Sequence, residues 1–154
     1  MTSSTWDVTI RRGPSDAEVR PLLEEADLPT ADITPEKLQS FYALEQDGQI
    51  CGVVGLELYD TVGLLRSLVV SPKRRTKGIG SALVAHAEHL ATTRGVTALY
   101  LLTDTAEAFF RRRGYEHAAR ERAPEPIRQT SEFADLCPTT SAFMVKRLIH
   151  SRLP

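Results

Sequence analysis

An α/β fold is what this sequence predicts, and three observations carry the prediction. The hydrophobic period switches between two and 3.6 residues along the chain, in the order β-α-α-β-β-β-α-β-α-β-β. The 154 residues contain 42% hydrophobic and 25% charged side chains, the make-up of one globular domain over 1–154 with enough apolar surface for a core. An apolar strand over 64–70 runs through a basic turn into Gly78-Ile79-Gly80 and an amphipathic helix. Junctions of that kind bind phosphates in α/β proteins.

Taken in order, each element has its own reason. Val8-Thr9-Ile10-Arg11 is a β-branched strand ended by Gly13-Pro14. Ser15 or Asp16 caps a helix reaching about Ala26, with Val19, Leu22 and Leu23 as its buried stripe. A proline-flanked loop over 28–35 leads to a short helical turn over 36–38. Residues 41–46 and 49–59 form a hairpin about Asp47-Gly48, a pair suited to the positive φ of tight turns. After the strand over 64–70 comes a helix over 79–94, with Ile79, Leu83, Ala87 and Leu90 on one face and Gly95 as its stop. Ala98-Leu99-Tyr100-Leu101-Leu102 is a nearly continuous apolar strand, the pattern of a strand covered on both faces. A short helix over 106–113 ends at Gly114, and a strand over 115–119 comes next. A polar, proline-marked stretch over 120–138 precedes the last strand, 142–148.

Several function classes are excluded at this level. A formal net charge of −1 gives no overall attraction to nucleic acid or to an anionic membrane, so the basic turn is a local feature. Cys51 and Cys137 lie far apart without metal-ligand spacing, so neither a disulfide framework nor a metal site is expected. No signal pattern opens the chain and no apolar run reaches membrane-spanning length, which makes the cytoplasm the expected compartment. His86 and His89 are three apart on the long helix, and surface positions account for them better than metal ligation.

Gly78 and Gly80 allow close approach of backbone to a ligand, and Lys73, Arg74, Arg75 and Lys77 add positive charge beside the helix N-terminus. This is a cradle for a phosphate or pyrophosphate; a solvated basic turn is the plainer alternative. It is not a P-loop, and the third glycine of a dinucleotide fingerprint is replaced by Leu83.

The hexamer Arg75-Thr76-Lys77-Gly78-Ile79-Gly80 after Leu68-Val69-Val70-Ser71-Pro72 resembles the acetyl-CoA pyrophosphate loop of the GNAT superfamily of N-acetyltransferases. Leu101-Leu102-Thr103 and the run from Ala106 through Phe109-Phe110 to Gly114-Tyr115 resemble that superfamily's later motifs, so the likeness covers nearly the whole chain. Leu102-Thr103 is similar to the acetyltransferases that modify glutamate. A closer resemblance is to the N-acetyltransferases of bacterial arsenic-resistance operons, carried by Leu28-Pro29-Thr30-Ala31-Asp32, Gly55-Leu56-Glu57, the strand 64–70, the run from Pro126 to Phe133 and Leu136-Cys137-Pro138.

The resemblance implies a GNAT fold: a single mixed, mostly antiparallel twisted sheet of six to seven strands flanked by about four helices. It implies acetyl-CoA as co-substrate and no metal, with direct acetyl transfer in a ternary complex to the amine of a small amino-acid-like acceptor, arsenicals included. Homodimers are common in the superfamily. The cofactor-binding set it implies is Leu68, Val69, Val70, Arg75, Thr76, Lys77, Gly78, Ile79, Gly80, Ser81, Thr103, Phe109 and Arg112. A bulge near Leu68 would free the N–H of Val69 or Val70 to bond the thioester oxygen. Thr76 stands where the family often has glycine, and Phe110 where many members carry a tyrosine able to protonate the thiolate. A thiolate leaves without much help, its pKa being roughly 8.5.

An ammonium acceptor must lose a proton. Glu57, interrupting an apolar strand, is the first candidate for taking it; a solvent-facing glutamate is the alternative. Asp32, Glu125 and Glu132 are further candidates from loops. Arg66 either pairs with Glu57 or binds an acceptor carboxylate, and Thr30, Asp32 and Arg128 complete the expected acceptor side. Arg111, Arg112 and Arg113 suit either a cofactor phosphate or a charged helix surface, while Cys51 fits the core. A non-catalytic acyl-CoA sensor and a protein N-acetyltransferase are the other two readings.

Overall fold

A computed structural model describes residues 8–74, 78–136 and 140–148. Among them seven strands make one sheet: β1 (Val8–Arg12), β2 (Phe41–Gln46), β3 (Gln49–Tyr59), β4 (Val62–Val70), β5 (Ala98–Thr103), β6 (Glu116–His117) and β7 (Ala142–Arg147). Their order is β1-β2-β3-β4-β5-β7-β6. The β4–β5 ladder is parallel, whereas β1–β2, β2–β3, β5–β7 and β6–β7 are antiparallel, which is the mixed, mostly antiparallel sheet expected. The helices are α1 (Asp16–Glu25), α2 (Pro35–Leu38), α3 (Ile79–Thr93), α4 (Glu107–Arg111) and α5 (Glu125–Arg128). Several of the edges land where the sequence put them, the hairpin strands residue for residue.

The chain divides into two compact units, Met1–Leu56 with Ser67–Ala87, and Glu57–Arg66 with Glu88–Pro154. In the first, Ser15 caps α1 through a complete capping box with Glu18, satisfying amide groups that a helix start leaves exposed. Thr34 caps α2 with a single bond, its hydroxyl accepting from the Lys37 amide. These caps bring Val19, Leu23, Ile33 and Leu38 onto Phe41, Ala43, Val53 and Val69 to form the unit's core. Removing such side chains from water contributes about 1.5–3 kcal/mol each.

The second unit has its own core of Leu64, Ala98, Tyr100, Ala123, Ile127 and Phe143. Here the structure departs from the sequence expectation in detail. β4 begins at Val62 rather than Leu64, after a turn in which Asp60 takes φ 63°. The helix over 106–113 contracts to Glu107–Arg111, and the strand over 115–119 to two residues paired with β7. The stretch over 120–138 is not a plain loop, for it contains a 3-10 turn (Arg120–Arg122), α5 and a π-helical turn (Glu132–Leu136).

Candidate active site

In the first unit, the end of β4 and the start of α3 carry the residues expected to hold a cofactor. Ser67 has φ 57° inside β4 and is only 8% exposed. A left-handed non-glycine residue within a strand costs of order 1–3 kcal/mol and persists only where its surroundings impose it. It sits one residue before Leu68, where a bulge was expected. Beyond Val70 the backbone is anchored to β3, the Ser71 amide donating to the Cys51 carbonyl at 2.8 Å. A Cβ placed on Gly52 would lie 2.9 Å from the Val69 carbonyl oxygen and 3.0 Å from Leu83. Glycine at that position therefore lets β3, β4 and α3 close together. The Val69 side chain is part of the core, so any chemistry at this residue falls to its backbone.

α3 opens with an Ala82 amide to Gly78 carbonyl bond of 3.1 Å, placing Ile79, Gly80 and Ser81 at the positive end of a 15-residue helix. Gly78 is exposed, takes φ +75°, and would find nothing within 4 Å of an added Cβ. The backbone here is open to a large anion, and the residue types fit a pyrophosphate. Arg75, Thr76 and Lys77 lie outside the described residues. Thr30 and Asp32 belong to the same unit; the Thr30 carbonyl accepts from the Ile33 amide, which fixes the turn before α2.

In the second unit a buried polar cluster forms about Arg66. Its guanidinium, 0% exposed, lies 3.1 Å from Glu57 and 3.5 Å from Glu132, whose side chains are 6% and 4% exposed. Of the two alternatives the sequence left for Arg66, pairing with Glu57 is the one seen. Carboxylates of the chain itself flank the guanidinium, Glu57 at one terminal nitrogen and Glu132 at the other. The solvent-facing alternative for Glu57 is replaced by burial. Tyr59 donates to the other Glu57 oxygen at 2.5 Å, and sequence reasoning missed it. The signal was present, since residues two apart on a strand share a face. Arg128 stands apart, exposed on α5 and paired with Glu125 at 3.4 Å.

The remaining expected cofactor residues come after β5. Thr103 accepts from the Ala106 amide at 3.0 Å and so orders the entry to α4. Phe109 is half-buried under the Arg113 guanidinium, 3.7 Å from its ring centroid. Arg111 pairs with Glu107 at 2.8 Å, while Arg112 is exposed and lines an open pocket with Glu107 and Ala108. Phe110 is buried edge-on against Phe109 and Tyr115. The Tyr115 hydroxyl donates to Glu88 at 2.9 Å, and burial first, then the Glu88 charge, pushes this phenol far above its usual pKa. Among the described residues no cluster of metal-ligating side chains occurs.

Comparison with known proteins decides the family. The acetyltransferase (GNAT) domain profile matches residues 37–117, more than half of the chain. The chain belongs to the GNAT acetyltransferase family. An uncharacterized N-acetyltransferase of Chlorobaculum tepidum is 36% identical to this GNAT protein over 94 residues, covering 60% of this chain and 59% of the relative. An amino-acid acetyltransferase of Ralstonia nicotianae is 34% identical over 94 residues, covering 60% of this chain and 21% of that enzyme. N-acetylglutamate synthase of Neisseria gonorrhoeae, solved with coenzyme A and N-acetyl-glutamate, superposes with TM-score 0.77 at 27% identity over 92% of this chain and 35% of its own. The GNAT chain described here thus spans less than two thirds of these relatives' lengths, from 59% down to 21%.

Proposed function

We propose that this chain is an N-acetyltransferase that moves acetyl from acetyl-CoA to the amine of a small amino-acid-like acceptor. The observation that carries the reading is the left-handed Ser67 inside β4, one residue before the expected bulge and in the same unit as the glycine-led start of α3. Relatives named amino-acid acetyltransferase, and a neighbour solved with coenzyme A and N-acetyl-glutamate, support the acceptor class. We place the reaction in the cytoplasm, as direct transfer within a ternary complex. An amino-acid arsenical belongs with glutamate among the acceptors to be tried, on the strength of the sequence resemblance. A homodimer is the assembly that resemblance suggests.

The roles divide by chemistry. Bound acetyl-CoA supplies an activated acyl group as a thioester. The amides of Ile79, Gly80 and Ser81, with Gly78, Arg75, Thr76 and Lys77, hold the pyrophosphate; Leu68 and Val70 bind the pantetheine arm through backbone groups. The Val69 N–H donates to the thioester oxygen, where negative charge develops during attack. Thr103, Phe109 and Arg112 complete the cofactor set, and Thr30, Asp32 and Arg128 the acceptor set. Glu57 takes the ammonium proton, with Tyr59 and Arg66 fixing its two oxygens. The leaving thiolate needs no acid from Phe110.

Release of CoA thiol from acetyl-CoA in the presence of L-glutamate, L-arginine or an arsenical amino acid tests the reading. Glu57→Gln should lower kcat by roughly 100-fold or more while acetyl-CoA still binds, the usual range for losing a general base. Tight CoA binding with no thiol release by the wild type, whatever the acceptor, would instead identify a sensor. Faster turnover of peptides than of free amino acids would identify a protein acetyltransferase.

A further inference from the structure

The second carboxylate on Arg66 has no place in the chemistry above, yet the fold goes to some length to put it there. Glu132 opens a π-helical turn, a rare local geometry that recurs at functional sites. Apolar anchors hold that turn on both sides. Ile127 is fully buried in the unit's core, and the Phe133 ring meets Phe143 edge-on at 5.2 Å. Between them Thr130, also buried, ties the two ends: its hydroxyl donates to the Ile127 carbonyl at 2.7 Å and accepts from the Phe133 amide at 3.3 Å. The Ala134 amide returns to the Thr130 carbonyl at 2.9 Å. Such a frame gives Glu132 very little freedom to leave the guanidinium.

Stability does not explain the arrangement. Burying a second carboxylate beside one guanidinium carries a desolvation penalty that a pair of apolar side chains would avoid. Glu57, Tyr59 and Arg66 lie within the span matched by the GNAT domain profile, 37–117, and Glu132 lies beyond it. It lies on the segment that also carries Arg128.

We propose that Glu132 is a positioning residue: by holding one side of the Arg66 guanidinium, it fixes the other side against Glu57 and so sets the orientation of the proton-accepting carboxylate. This rests on the proposed transferase reading. Arg66 has a rigid planar fork, so a displacement at one edge is transmitted to the other. Tyr59 constrains the second Glu57 oxygen, and Glu132 acts through Arg66, which holds the first.

The test monitors CoA thiol release by the full chain with two nucleophiles, L-glutamate, whose amine is an ammonium at pH 7, and hydroxylamine, which is already neutral there. Glu132→Gln should lower kcat with L-glutamate by about 10-fold, less than removing the general base itself, and leave KM for acetyl-CoA unchanged. With hydroxylamine the loss should be much smaller, because no proton has to leave the nitrogen before attack, and the one shed after the C–N bond forms is acidic enough to pass to water. Glu132→Asp, which keeps the charge on a shorter arm, should restore part of the loss. The double variant Glu57→Gln/Glu132→Gln should be no slower than Glu57→Gln alone, since Glu132 acts only through Glu57. Equal losses with both nucleophiles, additive losses in the double variant, or no loss at all would overturn the positioning role while the wild type still turns over. If Glu132→Gln fails to fold, Glu132→Asp decides, an unchanged kcat overturning the role. A wild type that releases no thiol with either nucleophile overturns the transferase reading, and the positioning role with it.

Discussion

At the scale of single residues, the side chains that matter most are those in environments they would not choose alone. Ser67 accepts a left-handed backbone, Arg66 two carboxylates, and Tyr115 a buried phenol beside an acid. Tyr115 yields a prediction with a definite sign. Its hydroxyl donates to Glu88, which also accepts from Lys146 at 3.0 Å. Burial, then the Glu88 charge, raises the phenol pKa in the folded state, while in the unfolded chain it ionises near its ordinary value of about 10. The stabilising contribution is therefore complete below about pH 10 and is lost as the pH rises above it. Tyr115→Phe should cost about 1 kcal/mol at pH 8, the net worth of a typical hydrogen bond. Above about pH 10 the wild type should lose stability faster than the variant, so the gap narrows. Urea unfolding of both proteins at pH 8, 10 and 11 checks this, and a gap that widens with pH contradicts it. Only part of this chemistry was legible in the sequence. Glu57 and Arg66 stood out because charged residues interrupt apolar strands. Ser67 carried no signal, because serine is not a residue that marks positive φ. Glu132 was visible only as one acid among several in a polar stretch, since its partner is 66 residues earlier in the chain and nothing local announces the contact.

At the scale of elements, what could be read depended on how much of each element's stability is local. The hairpin about Asp47-Gly48 was legible to the residue because turn chemistry fixes its register, with φ 53° and 79° at the two positions. α1 and α3 were legible because a cap or a glycine stop bounds a periodic stripe. α5 and the π-turn were not: four or five residues cannot nucleate a helix without tertiary support, and theirs comes from Ile127 and Phe133 in the core. The β3–β4–α3 junction makes the sharpest prediction at this scale. Gly52→Ala brings a methyl group to 2.9 Å from the Val69 carbonyl, 3.0 Å from Leu83 and 3.2 Å from Ile79. The overpacking should cost about 1–3 kcal/mol. Because the displaced groups include Val69 and Ile79, affinity for CoA should fall as well. Gly48→Ala is the matched control: it meets no atom within 4 Å but has φ +79°, so it should lose about 1–2 kcal/mol to backbone strain alone. Calorimetric titration with CoA separates the two, with weakened binding in Gly52→Ala and wild-type affinity in Gly48→Ala. Equal affinity in both variants would detach the junction from cofactor binding.

At the scale of the whole molecule, each of the two units carries residues proposed for the cofactor. Leu68 to Ser81 belong to the first, Thr103, Phe109 and Arg112 to the second. A net charge of −1 gives the chain no general attraction for a polyanion, so recognition of CoA has to come from local groups. Residues that contact CoA must gain protection in whichever unit carries them. A saturating ligand stabilises the folded chain by about 2.7 kcal/mol at one hundred times its Kd. For a domain of this size such a gain raises the unfolding midpoint by about 5–11 °C. Hydrogen exchange locates the gain. With CoA present, protection should rise at the end of β4 and the first turn of α3, and also from the end of β5 through α4. Protection confined to the first unit would leave the pyrophosphate assignment standing and remove Thr103, Phe109 and Arg112 from the cofactor set. Protection confined to the second would do the reverse, and Gly78 would become an ordinary turn before a helix.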